Sequence, residues 1–248
     1  MKLELDRSGP PAYAQIIERI EAAVSRGELR AGDRLPPERR LAAELGVSRM
    51  TLRQALATLE SRGLVTRTTG RRGGTFVASP KVERDVSAFA GLSEQLRRQN
   101  VTAGARLLSA VEAPAGEAVA EALQLGLGDP VAEIVRIRLA DREPLALERS
   151  TFPLARFPGL LELDLTGSLY DLLAEHYSEP PTHAVERLEP VLAGDFESKT
   201  LEVGLGAPLM LVERTAYSAT GDAVEFARDL FRGDRTRIVA WASALTHV

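Results

Sequence analysis

Apolar positions repeat with a helical period through the first third of the chain. Tyr13, Ile16, Ile17, Ile20 and Val24 fall on one stripe, introduced by Pro10 and Pro11 and ended by Gly27, which predicts an amphipathic first helix. Gly27, Gly32 and Asp33 then supply turn formers. Pro37 suits the start of a second helix, because the first helical N–H has no partner to lose, and Gly46 suits its end. Ser48 is placed to cap a third helix in which Leu52, Ala55, Leu56 and Leu59 line one face until Gly63. The period then shortens. Leu64 to Thr68 and Thr75 to Val77 are β-rich runs joined by GRRGG, a hairpin signal.

The remaining two thirds read differently. Ser79 to Asp85, SPKVERD, is polar and contains proline, and is expected to be a linker. A helix is predicted over Phe89 to Gln99, with Phe89, Leu92 and Leu96 on one face. Six β-runs follow, at Arg106 to Val111, Val131 to Leu139, Leu145 to Phe152, Val185 to Leu192, Leu209 to Ala216 and Val224 to Phe231. Helical stretches lie between them at Ala115 to Leu123, Ser168 to Glu175 and Asp195 to Leu201. Strands grouped around a few helices, without regular βαβ alternation, predict an antiparallel α+β domain. The expected organisation is residues 1–78, a linker at 79–85, and residues 86–248.

Charge divides along the same line. Residues 1–80 hold 14 Lys and Arg against 9 Asp and Glu, while residues 81–248 hold 17 against 26, giving +5 and −9. The basic part suits a polyanion and the acidic part would repel one. With no cysteine there is no disulfide or thiolate metal site, and His176, His183 and His247 have no ligand spacing, so neither metal nor cofactor is expected. No apolar run approaches the roughly 20 residues that span a bilayer, and MKLELDRSGPP lacks a signal-peptide core. A cytoplasmic protein is expected.

The chemistry of the basic part sits opposite its apolar stripes. Arg49 and Arg53 lie one turn apart at the start of the third helix, with Thr51 and Gln54 nearby, at the end that a recognition helix points into a major groove. Arg39 lies on the helix before it, and Arg71, Arg72 and Gly73 form a flexible basic hairpin tip suited to the sugar-phosphate backbone. Each arginine taken singly has the alternative of being a solvated surface residue, and Arg40 is read that way. The run LPPERRLAAELGVSRMTLRQALATLESRGLV followed by GGTFV resembles the winged helix-turn-helix of the GntR family of bacterial transcriptional regulators. The resemblance implies operator contacts from Arg39, Arg49 and Arg53, the cap at Ser48, and a wing tip on the adjacent backbone or minor groove. Pro37 departs from the serine cap common there.

In the acidic part, Arg136 and Arg138 are two apart on a predicted strand and share a face, where guanidinium groups can converge on an anion. Ser168 and Tyr170 sit at a helix start, where free N–H groups and the dipole also favour an anion. Glu148 and Glu225 are acids in otherwise apolar strands, suited to accept hydrogen bonds from a ligand. Structural alternatives stand beside these: cross-strand ion pairs for the arginines, a core position for Tyr170, and pairing of Glu225 with Arg214. Glu186 and Arg187 are read as ion-pair formers. Tyr217 can line a pocket or pack beside the turn at Thr220 and Gly221.

DPVAEIVRIRLADREPLALERSTFP, FPGLLELDLTGSLYDLL, GAPLMLVERTAY and VEFARDLFRGDRTRIVA resemble the UTRA effector domain of the HutC subfamily. That resemblance implies a chorismate lyase-like antiparallel sheet, a small-molecule pocket and a homodimer. It also implies effector contacts from Arg136, Arg138, Glu148, Ser168, Tyr170 and Glu225, with the loop Ala90, Gly91, Leu92 and Ser93 at the pocket's border. The function expected is a DNA-binding regulator, a repressor, that binds double-stranded operator DNA and responds to a small anionic effector, with a phosphorylated amino sugar favoured. A carboxylate such as an amino-acid catabolite is the alternative. An enzyme is a remote reading, since no nucleophile-base pair, metal set or carboxylate dyad is prepared for chemistry. A DNA-coating protein without effector would leave the acidic domain unexplained.

Overall fold

The computed structural model describes residues 9–68, 73–78, 81–87 and 89–242. It separates into two compact units, Met1–Lys81 and Val82–Val248.

The first unit is three helices and a hairpin. α1 (Ala12–Ser25), α2 (Glu38–Leu45) and α3 (Arg49–Ser61) precede β1 (Val65–Thr68) and β2 (Gly74–Val77), which pair antiparallel with Val65 opposite Val77. Ile16, Ile17 and Ile20 of α1 meet Leu41 and Leu45 of α2 and Leu52, Leu56 and Leu59 of α3 in one core closed by Leu35, Val65 and Val77. Each such side chain contributes roughly 1.5–3 kcal/mol by leaving water. Pro37 stands one position outside α2, at its N-cap, and offers no side-chain cap. Gly46 takes a left-handed φ of 64°, which lets the chain reverse between α2 and α3. Ser48 Oγ then accepts the Thr51 N–H at 3.0 Å, the predicted cap. An unforeseen contact ties the hairpin down: Arg34 donates to the Gly73 carbonyl and lies over the Phe76 ring.

The second unit is built on a six-stranded antiparallel sheet in the order β4-β5-β6-β9-β8-β7. Its strands are β4 (Ala103–Pro114), β5 (Pro130–Ala140), β6 (Glu143–Pro153), β7 (His183–Leu192), β8 (Pro208–Tyr217) and β9 (Ala223–Arg232). Each contains one of the predicted β-runs and extends beyond it at both ends, except β7, which ends with its run at Leu192. The helices are α4 (Leu92–Arg98), α5 (Glu117–Leu123), α6 (Leu169–Tyr177) and α7 (Asp195–Leu201). α4 starts three residues later than the pattern predicts.

The linker expectation needs correction. Val82–Asp85 is a strand, β3, pairing in parallel with β10 (Thr236–Val239) near the end of the sheet domain. Val82 and Arg84 are buried while Glu83 is exposed, so the alternation is real but only two side chains deep. Four residues reading VERD announce no strand until a partner 154 positions away supplies the hydrogen bonds.

One face of the sheet has a pattern that matters for function. Along β5 the side chains on this face run Ala132, Ile134, Arg136, Arg138 and Ala140, and the apolar ends belong to two separate clusters. Ala132, Ile134, Phe152, Ala216 and Val224 pack with Leu169 and Leu173 of α6. Ala140, Ala146, Val212 and Phe231 pack with Leu96 of α4 and Val82 of β3. Charged side chains occupy the middle of β5, β6, β8 and β9 between these clusters.

Candidate functional site

A cavity of about 350 Å³ opens between the two apolar clusters. It falls at the small end of the range for small-molecule pockets. The sheet supplies Arg136, Arg138, Glu148, Arg214, Glu225 and Asp229, α6 supplies Leu169 and Tyr170 with Ser168 before it, and residues 84–87, 89–93 and 95 supply another wall. Ala90, Gly91, Leu92 and Ser93 all line the cavity, as the resemblance implied.

Arg136 and Arg138 share the expected face and both are buried. Register places Arg136 directly opposite Glu148 on β6. Arg136 donates Nε to Glu148 Oε2 at 2.7 Å and Nη1 to the Leu165 and Gly167 carbonyls at 2.7 and 2.8 Å. Most of its donors are therefore spent on the fold. Arg138 donates Nη1 to Glu148 Oε1 at 2.8 Å and Nη2 to Ser93 Oγ at 2.7 Å, while its buried Nε has no hydrogen-bond partner among the described residues. The cross-strand ion pair and the pocket position are thus both present in one structure. Burial alone would raise the Glu148 carboxyl, but Arg138 and Arg136 outweigh it and hold it at about 2.

Ser168 Oγ caps α6 by accepting the Asp171 N–H at 3.3 Å. The Leu169 and Tyr170 N–H groups, in the first turn, have no intrahelical acceptor. Tyr170 stacks on Phe89 with ring centroids 5.7 Å apart and donates its hydroxyl to Glu225 Oε2 at 2.6 Å. Gly91 packs closely beside it: a Cβ there would meet Tyr170 Cδ2 at 3.3 Å, a tight contact. Glu225 also accepts from Arg214 Nε at 3.2 Å, the pairing that its structural alternative named.

Tyr217 is a correction. It does not line the cavity; it packs with Ala115, Leu123 and Phe226 and stacks on His183 at 5.2 Å. Tyr217 lies three positions beyond Arg214 on β8, so strand alternation sets it on the other side of the sheet, and a register shift at Val224 of β9 leaves it opposite Ala223. Arg84, Glu186, Arg214 and Asp229 are cavity residues that the sequence reading did not assign to the site. For Asp229 the signal was available: it is a charged residue four positions beyond Glu225 on an apolar strand, and so on the same face. Arg84 carried no such signal, because its strand was read as linker.

In the first unit, Arg39, Arg49, Arg53 and Gln54 are exposed around the start of α3, and Thr51 is half-buried. Arg53 lies 4.0 Å from Glu38, too long for a firm pair, so its guanidinium keeps its reach. Ser48 and Thr51 share a hydroxyl contact of 2.8 Å that holds the helix start. Met50, 71% exposed between Arg49 and Thr51, is a further residue of this face that periodicity did not single out. Arg40 pairs with Glu44 on the surface. Arg71 and Arg72 lie outside the described residues.

No described helix is long and apolar enough to cross a membrane. Residues 12–77 match the model for bacterial regulatory proteins of the gntR family, and residues 98–237 match the UTRA domain. The chain is 35% identical over 245 residues to the HTH-type transcriptional repressor NagR of Bacillus subtilis, covering 98% of this chain and 100% of that protein. It is 30% identical over 224 residues to MngR of Escherichia coli, the mannosyl-D-glycerate transport/metabolism system repressor, covering 90% and 92%. The crystal structure of PhnF from Mycobacterium smegmatis superposes with a TM-score of 0.66 at 30% identity, covering 94% of this chain and 100% of that one. With a helix-turn-helix and hairpin in one unit and a charged cavity over an antiparallel sheet in the other, the chain belongs to the GntR family of transcriptional repressors, in its UTRA-containing HutC branch.

Proposed function

We propose that this repressor acts as a homodimer that binds a pseudo-palindromic operator and responds to a small anionic metabolite, a phosphorylated amino sugar, held in the cavity of its sheet domain. The observation that carries the ligand reading is Arg138, a cavity residue bonded to Ser93 whose buried Nε has no partner among the described residues, in a cavity that Ser168 and the start of α6 also line. A buried guanidinium N–H without an acceptor is costly, and an anion's oxygen satisfies it. The first-turn N–H groups of α6 favour the same charge. Arg136, tied to Glu148 and two carbonyls, acts as the brace that keeps Arg138 and Glu148 in place rather than as the main contact.

A carboxylate is the second reading, and one feature favours it: only one of the two strand arginines has a donor to spare, which suits a single negative charge. In either case, effector binding biases the orientation of the two winged helices, for which a coupling of about 1–3 kcal/mol suffices. On DNA, Arg49 and Arg53 read base edges, Met50 offers its side chain to a thymine methyl, and Arg39, Gln54 and the wing tip with Arg71, Arg72 and Gly73 hold phosphates and grooves. Ser48 and Thr51 position the helix start.

The test is a thermal-shift panel of glucosamine 6-phosphate, other sugar phosphates and small carboxylates on the full-length protein. A ligand at about 100 times its dissociation constant stabilises the fold by roughly 2.7 kcal/mol. A shift with the amino-sugar phosphate that disappears in Arg138→Ala supports the assignment. A shift produced by carboxylates alone replaces the ligand, and a phosphate shift that survives Arg138→Ala removes Arg138 from the anion site.

A further inference from the structure

Two strands away from Arg138 the cavity has a second polar wall of opposite character. Arg214 on β8 donates Nε to Glu225 Oε2 and Nη1 to Asp229 Oδ2, both at 3.2 Å, and its Nη1 lies 3.6 Å from Glu186 Oε1 on β7. One guanidinium thus serves three carboxylates. Arg84 helps by pairing with the same Glu186 oxygen at 2.5 Å. What remains is a deficit: Asp229 and Glu186 both line the cavity, and one buried oxygen of each, Asp229 Oδ1 and Glu186 Oε2, has no hydrogen-bond partner among the described residues. The Asp229 side chain is only 5% exposed, so solvent does not stand in for the missing donor.

A carboxylate oxygen in that position requires a donor, and a cation meets the need better than a neutral group. The neighbours of Asp229 make the same point. Register sets it directly opposite Glu148 on β6, and Glu225 is on its own strand. Burial pushes its carboxyl up to about 7, against the pull of Arg214 and with the push of Glu148 and Glu225. Arg84 and Tyr170 also face Asp229 from the adjoining walls, while His183, a further titratable residue of the cavity, is at the exposed end of β7. The backbones of β5 and β9 are two inter-strand spacings apart, roughly 10 Å, which is the reach of a small metabolite with unlike groups at its ends.

We propose that Asp229, together with Glu186, is the docking point for a protonated amine, so that the effector combines an anionic group with a free ammonium and its N-acylated or amine-free analogues bind poorly. The inference rests on the cavity's being the effector site, and it deepens that reading by naming the ligand's second functional group. The acetyl group of an N-acylated ligand would remove the positive charge and add bulk where two carboxylate oxygens wait for donors. Glu225, already holding Tyr170 and Arg214, is the fixed side of this wall, and Asp229 is the open side.

The experiment is isothermal titration of the full-length protein with ligands matched except for the amine: glucosamine 6-phosphate against glucose 6-phosphate and N-acetylglucosamine 6-phosphate, and glutamate and 4-aminobutyrate against glutarate and butyrate. In at least one set the amine-bearing member is expected to bind tenfold or more tighter than its partners. In Asp229→Asn that preference is expected to fall to threefold or less while affinity for the amine-free partner stays within threefold and the melting transition remains cooperative. If the sugar phosphates are silent and an amino carboxylate shows the preference, the phosphate reading fails and the amine site stands. Equal affinities within every set, tighter binding of the acylated or amine-free members, no binding by any amine-bearing member, or a preference unchanged in Asp229→Asn overturns the proposal.

Discussion

Asp229 and Glu148 face each other across β6 and β9, yet their carboxyls are driven in opposite directions. Glu148 has two guanidinium partners at hydrogen-bond distance and is held at about 2, while Asp229 shares one arginine with two other acids and rises to about 7. The consequences for stability have opposite signs. Glu148 stabilises the fold above its ordinary value of 4.5, and that contribution is lost as pH falls from there toward 2. Asp229 is raised from 3.8, so its contribution is complete below about 4 and is lost as pH climbs through 7. Asp229→Asn, which cannot ionise, should therefore gain in thermal midpoint relative to the parent protein as pH moves from 5 to 8. A difference that stays constant across that range would show that Asp229 ionises normally.

Secondary elements carry the functional residues in two contrasting ways. α3 presents its arginines because its opposite stripe, Leu52, Ala55, Leu56 and Leu59, is fully consumed by the core, and because Ser48 fixes where the helix starts. Ser48→Ala should cost about 1 kcal/mol in urea unfolding, the usual value of an N-cap, and should weaken operator binding by more than that loss explains, since Thr51 loses its hydroxyl partner at the reading end. Operator affinity that follows stability alone would make Ser48 a cap and nothing more. The sheet strands instead carry charge in their middles and apolar residues at their ends, so the pocket is the gap between two clusters rather than a groove added to a finished core. β3 belongs to this arrangement: it is four residues long, yet it sets Arg84 against Glu186 and Phe231 and closes one wall.

For the whole molecule, net charge divides the work. The basic unit carries the exposed arginines proposed to contact DNA, and the acidic one gathers paired charges around its cavity. Operator binding should weaken steeply with salt, with a logarithmic slope of about −0.9 for each phosphate neutralised. Arg49→Ala, if Arg49 reads a base, should lose about 1–3 kcal/mol of discrimination between operator and random duplex, whereas loss of a phosphate contact lowers affinity for both and reduces the slope by about 1. Competition binding at two salt concentrations separates these outcomes, and unchanged discrimination removes Arg49 from base reading.

Local signals were enough for the winged helix. Each of its elements announces itself through a proline, a glycine or serine at a helix end, or a stripe of apolar positions, and each packs on elements close to it in the chain. The six long strands were legible for the same reason, as were Arg136, Arg138, Glu148 and Glu225, polar residues set in apolar runs. What only the tertiary structure decided depends on distant partners. β3 exists because β10 pairs with it, and Arg84 enters the cavity on that account. Tyr217 is an odd number of positions from Arg214 on β8, and it leaves the site once the fold shows which side of the sheet holds the cavity. Which arginine keeps a free donor also depended on distant groups: Leu165, Gly167 and Glu148 satisfy Arg136 and leave Arg138 Nε open. A sequence specifies which side chains share a face, because that follows from backbone period; it leaves to the fold which of them are satisfied, because hydrogen bonds are counted in space.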